Sequence, residues 1–299
     1  MIRVLIGLMA MCGLAHAQVR GVYPAGMNAT NAGVTAAPGF GYSNLFLLFG
    51  RDRLTGANGE VVTRGHNSVL IDMNTLVWAS ATPVLGGARY SAAASLPLAS
   101  NSLSSETVGA ISGGGGFADS YYQPMILGWQ LERLDVKAAY GFLAPTGRFD
   151  AAANDNVGSG YWTHTIAAGN TIYLSSDKRT ALSLFGMYEW HGTQEGTGIR
   201  PGDTFNLDYS LTHVLPLGED SRLQLGLAGY QQKQTSNKRG PGITPEQATA
   251  RYKVDALGIA ANVLLPAREV TLGFKYFEEF SSRSTFEGYS VQISAAVNF

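Results

Sequence analysis

One cysteine, Cys12, stands in the whole chain, inside an N-terminal stretch that reads as a cleaved leader. A mature product without cysteine has neither disulfides nor thiolate metal sites. A lipoprotein reading of Cys12 is weak, because bulky Met11 precedes it and a better cleavage site follows. Charge is also scarce: 14% of residues are charged, against about a quarter in a typical soluble domain. The formal net charge of -1 leaves no electrostatic footprint for nucleic acid. Beyond the leader, no uncharged apolar run approaches the roughly 20 residues that a membrane-spanning helix needs. Catalytic signatures are missing as well. There is no GxSxG and no HExxH. Ser210 and His213 lie close in sequence but on opposite faces of one strand. No His/Asp/Glu triplet has metal-ligand spacing, and the ISGGGG stretch lacks the GK(S/T) ending of a phosphate cradle. The chain is therefore expected to be no enzyme and to hold no cofactor.

The chain is rich in glycine (37) and tyrosine (14), and in regular alternation. Residues 1–17 have the form of a secretory signal peptide: Arg3, the apolar run from Val4 to Leu14, and the small-residue site Ala15-His16-Ala17. The mature chain is expected to begin at Gln18. At the other end, FEGYSVQISAAVNF places Tyr289, Val291, Ile293, Ala295 and Val297 on one strand face and Ser290, Gln292 and Ser294 on the other. It closes on Phe299. A terminal two-faced strand ending on an aromatic suits a membrane barrel whose last strand pairs with its first. Such strands resemble the signal read by the barrel-assembly machinery of bacterial outer membranes, which makes that machinery, through Phe299, an expected partner alongside outer-membrane lipids.

Between the ends the sequence divides into strand-like segments of roughly ten residues, the length that crosses a bilayer at a tilt. They fall at about 40–50, 67–80, 88–99, 119–131, 134–144, 161–174, 180–191, 204–212, 221–234, 251–265, 270–280 and 286–299. The connections alternate long and short, as extracellular loops and periplasmic turns do. The expectation is an all-β fold: an antiparallel up-and-down transmembrane β-barrel of about 12 strands over residues 40–299. Residues 18–39, rich in Gly, Ala, Asn and Thr, are an irregular periplasmic arm or plug, with a tethered tail the plainer reading. Aromatics near strand ends (Tyr121, Tyr122, Trp129, Tyr161, Trp162, Tyr188, Trp190, Tyr276, Phe277) suit interfacial belts. Phase puts Asp72, Asn74, Lys137, Glu189, Asn206, Asp208, Gln224, Lys275 and Glu279 on the polar faces, as candidates to line the lumen. They either filter a solute or satisfy one another inside a filled barrel. Arg148, in PTGR, is a pore-mouth candidate for a carboxylate or phosphate, although turn chemistry accounts for the same residues.

PMILGWQLERLDVKAAYGFLAPTGRFD (124–150), YWTHTIAAGNTIYL (161–174), MYEWHGT (187–193), GDTFNLDYSL (202–211) and GLAGYQQKQT (226–235) resemble the MetA-pathway phenol-degradation family of outer-membrane proteins. The resemblance covers roughly 40–299. Its strongest motifs are GW before a turn, APTGR(F/Y)D leading into a loop, and YWTH opening the next strand. It implies a barrel in the bacterial outer membrane and a role as a transporter or channel. The expected function is passive passage of small molecules, hydrophobic or aromatic ones included. Alternatives are an export pore for a secreted polypeptide, an outer-membrane enzyme, or a closed structural barrel. A homo-oligomer is compatible with all of these.

Overall fold

Two-faced strands in hydrocarbon must find partners for every backbone amide, and closing the sheet on itself achieves this. The computed structural model describes residues 20–106 and 109–299. The expected leader at 1–17, Cys12 and the mature start at Gln18 lie outside the described residues. The strands are β1 (Gly39–Thr55), β2 (Val61–Val84), β3 (Ala88–Ser105), β4 (Gly109–Phe117), β5 (Ser120–Gln130), β6 (Leu134–Ala144) and β7 (Thr163–Tyr173). They continue with β8 (Thr180–His191), β9 (Thr204–Leu217), β10 (Ser221–Gln234), β11 (Lys253–Leu265), β12 (Val270–Arg283) and β13 (Phe286–Asn298). The short helix α1 (Pro245–Thr249) sits in the loop before β11. Both β4 and β5 pair with β3, β4 from Leu98↔Phe117 outward and β5 from Ser95↔Tyr121 downward. They therefore share one place in the wall, and the barrel has 12 positions.

The sheet is sealed where β1 meets β13, from Gly41↔Asn298 to Leu54↔Phe286. Phe299 completes the seal by donating its N–H to the Phe40 carbonyl (2.8 Å) and accepting from the Phe40 N–H (3.1 Å). Both chain ends of the barrel lie on the side of the short turns, the periplasmic side of such barrels. One of these turns shows its local chemistry plainly. The Ser175 hydroxyl (2.6 Å) and the Arg179 N–H (3.1 Å) both donate to Asp177 Oδ1, and these bonds hold the Asp177 carboxyl below its usual range.

The alternation of long and short connections holds only in part. Three loop-side connections are long: 145–162, 192–203 and 235–252. The other three are tight, because the strands run on past the apolar band. Most of the stretch expected as a loop at 51–66 is ladder, ISGGGG belongs to β4, and only Ser284 and Thr285 separate β12 from β13. Polar, glycine-rich sequence pairs readily outside the membrane, so polarity alone does not mark a loop. Glycine is required here: a Cβ on Gly114 would lie 2.1 Å from the Asp155 carbonyl oxygen, where the 145–162 loop packs onto β4.

On β6, β8 through β10, β12 and β13 the faces follow the expected phase. Ile293 and Leu227 face outward, 53% and 59% exposed, while Ser290, Gln292, Asn206 and Asp208 are buried within. On β1 and β2 the phase is reversed. Leu47, Phe49, Ile71 and Met73 face the lumen, and Phe46, Leu76 and Trp78 face out. Asp72 and Asn74 are consequently on the outer face and do not line the lumen. Asn44 Nδ2 donates to both, and the Tyr42 hydroxyl donates to Asn74 Oδ1 at 2.6 Å. The phase rule fails because both faces of these strands are apolar: the inner one lines a cavity rather than water. Three of the belt aromatics are also interior. Tyr161 and Phe277 are buried and Tyr121 bonds to Thr165 across the lumen wall.

A carboxylate on the lipid face costs stability, by less than the ~2–4 kcal/mol of a midplane Lys or Arg. Asp72→Leu should raise the urea midpoint of the barrel folded in phospholipid vesicles, with a gain of about 1–2 kcal/mol. An unchanged or lower midpoint would place Asp72 outside the hydrocarbon.

Candidate functional site

The lumen is divided between a polar half occupied by the N-terminal arm and an apolar half left open. The arm, for which the sequence left a tethered tail or a plug open, runs inside the barrel from Arg20 onward. Its composition explains why it fits: Ala25, Ala29 and Ala32 are fully buried and small enough to thread a narrow bore. Ala25 and Ala29 pack with Tyr230, Val254, Ala256 and Phe277. Tyr23 stacks on Phe185 at 5.4 Å. Gly26 has φ +84°, and a Cβ there would come 2.6 Å from the Phe277 ring, so only glycine serves.

Three carboxylates hold the arm. Glu189 on β8 accepts the N–H groups of Val22 (2.9 Å) and Tyr23 (3.0 Å) and the Asn206 amide (2.8 Å). Asp208 on β9 accepts the N–H groups of Gly26 (2.9 Å) and Asn28 (3.0 Å) and the Tyr23 hydroxyl. Glu279 on β12 receives a two-pronged Arg20 guanidinium at 2.6 and 3.0 Å and the Tyr230 hydroxyl at 2.8 Å. The donors are matched from the other side: Lys275 Nζ donates to the Met27 carbonyl (2.6 Å) and Gln292 to the Ala25 carbonyl (3.0 Å). Gln224 exchanges two hydrogen bonds with Asn31 at 2.9 and 3.0 Å. Of the nine residues expected to line the lumen, the structure thus brings Glu189, Asn206, Asp208, Gln224, Lys275 and Glu279 together around the arm. Lys137 faces the open half, and Asp72 and Asn74 are outside.

The open half is a cavity of about 740 Å³. Its wall is apolar along β1, β2 and β5–β8: Leu45, Val69, Met73, Ile126, Phe185 and Met187 among others. The 145–162 loop forms its outer roof. Asp119, which sequence reasoning did not single out, pins this loop by accepting the N–H groups of Gly147 (2.9 Å) and Ser159 (2.7 Å). This lays Phe149, Ala153 and Val157 over the cavity. Arg148 is half exposed, pairs with Asp155, and is not among the cavity-lining residues. In place of a pore-mouth ligand, it closes the loop on itself. The one signal for Asp119 is the broken strand beside it, an Ala-Asp step after a glycine run, which sequence alone does not distinguish from a turn.

A family model described as Putative MetA-pathway of phenol degradation matches residues 51–295. No curated protein matches the chain. Among solved structures, an outer-membrane channel from Pseudomonas putida F1 superposes with a TM-score of 0.75 at 14% identity, over 93% of this chain and 100% of that one. The β domain of the Bordetella autotransporter BrkA superposes at 0.54 and 11% identity, over 88% of this chain and 100% of the other. At these identities the likeness is one of fold.

Removing a partner from a buried charged network leaves its donors unmet, at a cost of about 3–5 kcal/mol. Asp208→Ala should therefore destabilise the barrel by roughly that amount in vesicle unfolding and expose the arm. Labelling of a cysteine placed at Ala25 by a water-soluble maleimide reads the second effect. Labelling as slow as in the parent would contradict the arm's dependence on Asp208.

Proposed function

The chain belongs to the MetA-pathway phenol-degradation family, and from that premise we propose that it is an outer-membrane channel for small hydrophobic molecules, aromatic ones among them. The observation that carries this reading is the apolar cavity of about 740 Å³ inside a sealed barrel. A cavity of about 150 Å³ already accepts benzene, so one or more rings fit. An aromatic ring leaving water for such a wall gains on the order of 25 cal/mol per Å² of apolar surface. That gain draws a solute into the barrel and past the polar outer leaflet. The chain's own residues supply binding and exclusion of water, and no bond is made or broken. The family description, with its phenol degradation, and the outer-membrane channel fold of the Pseudomonas putida protein support the same solute class and the same membrane. Recognition of the β13 strand and Phe299 by the assembly machinery follows from that location. An export pore for a polypeptide fits less well, because the arm's buried bonds occupy half of the bore.

The test is uptake. In a porin-deficient Gram-negative host carrying an intracellular reporter for toluene, the parent protein should accelerate the response over the empty vector. Ala99→Trp, which projects a large ring from β3 into the cavity, should return it to the vector rate. Equal rates for the parent protein and the vector would end the channel reading.

A further inference from the structure

Hydrophobicity alone leaves the cavity's charge unused. Five charged side chains line it: Arg20, Arg51, Lys137, Lys275 and Asp119. The inward-facing carboxylates Glu189, Asp208 and Glu279 are turned into the arm and contribute nothing to that lining. The charge a solute meets is therefore positive on balance. Four of the five lining groups are committed. Arg20 is clamped on Glu279, Arg51 donates to Asn67 at 3.1 Å, Lys275 donates to the arm's carbonyls, and Asp119 accepts from the loop. Lys137 has no hydrogen bond or ion pair among the described residues.

Its surroundings keep it so. The residues directly across from Lys137 on the two neighbouring strands are Gly128 on β5 and Gly169 on β7. Neither brings a side chain, and the space over them is taken by the arm, Thr35 against Gly128 and the Ala32 carbonyl against Gly169. Asp135, two residues along on the same face, accepts from the Tyr173 hydroxyl at 2.6 Å. Arg89, across from Gly128, donates to the Ala36 carbonyl at 2.9 Å. One step further along the strands stands an apolar row in register, Ile126, Ala139, Ala167 and Met187. All four line the cavity.

We propose that this juxtaposition is a binding site for small amphipathic carboxylates: Lys137 takes the acidic head and the Ile126–Met187 row takes the apolar body. A cation in an apolar cavity without a partner gains from an arriving carboxylate a hydrogen bond with opposite charge on the two partners, and a neutral molecule of the same shape supplies the acceptor without the charge. The proposal rests on the channel reading and narrows its substrate class.

The experiment compares benzoate with benzyl alcohol, its neutral counterpart in shape, by calorimetry on the full protein in lipid nanodiscs, where no detergent competes for the cavity. Benzoate should bind about tenfold more tightly to the parent protein. Lys137→Met should erase that preference by weakening benzoate far more than benzyl alcohol, and Lys137→Arg should keep it. Equal affinities in the parent protein, or a preference that survives Lys137→Met, would overturn the assignment and leave the channel reading standing. Binding of neither probe would overturn both.

Discussion

Carboxylates placed inside a membrane barrel must be met by donors, because the wall is sealed and water is largely displaced. Glu189, Asp208 and Glu279 all face inward on the same side of the lumen. The wall cannot satisfy them unaided, since the neighbouring strands offer mainly the Asn206 amide, the Tyr230 hydroxyl and the Gly288 N–H. The arm supplies the rest through six donor groups of its own, the backbone N–H groups of Val22, Tyr23, Gly26 and Asn28, the Tyr23 hydroxyl and the Arg20 guanidinium. Charge on β8, β9 and β12 thus dictates where the arm lies, and the arm in turn decides which part of the lumen stays open.

The open part owes its character to this division. With the polar wall consumed by the arm, what remains is the opposite wall, where β1, β2 and β5–β8 present aliphatic and aromatic side chains. A water-filled porin lumen would be polar on all sides. Here an apolar cavity lies inside a barrel whose lipid face is also apolar, so β1 and β2 are greasy on both faces. Packing, electrostatics and the apolar character of the open cavity are linked by one constraint, the need to satisfy buried charge.

Sequence patterns made the barrel legible wherever the two faces differ in polarity. The terminal strand, β6 and β8 through β10 declare their phase through alternations such as Leu207 against Asp208 or Leu225 against Gln224. The inward carboxylates and their phase could be read in the same way. The pattern misled where polarity ceased to track location. Val69, Ile71 and Met73 look lipid-facing but line the cavity, which sent Asp72 and Asn74 to the wrong side. The glycines of ISGGGG look like a loop but form β4, because outside the membrane a ladder needs no apolar face. The arm was illegible for a different reason. Its alanines and glycines carry no periodicity, and their fit depends on Phe277, Tyr230 and Phe185, all of them far away in sequence.

The central claim is that the arm, held by buried carboxylates, sets the bore. Single-channel recording in planar bilayers tests it most directly, comparing the parent protein with a variant lacking residues 20–38. The parent barrel should show a low ionic conductance, and the variant a stable, larger, ohmic conductance with a preference for cations, because the three carboxylates are then hydrated. Identical conductance in the two proteins would contradict the claim.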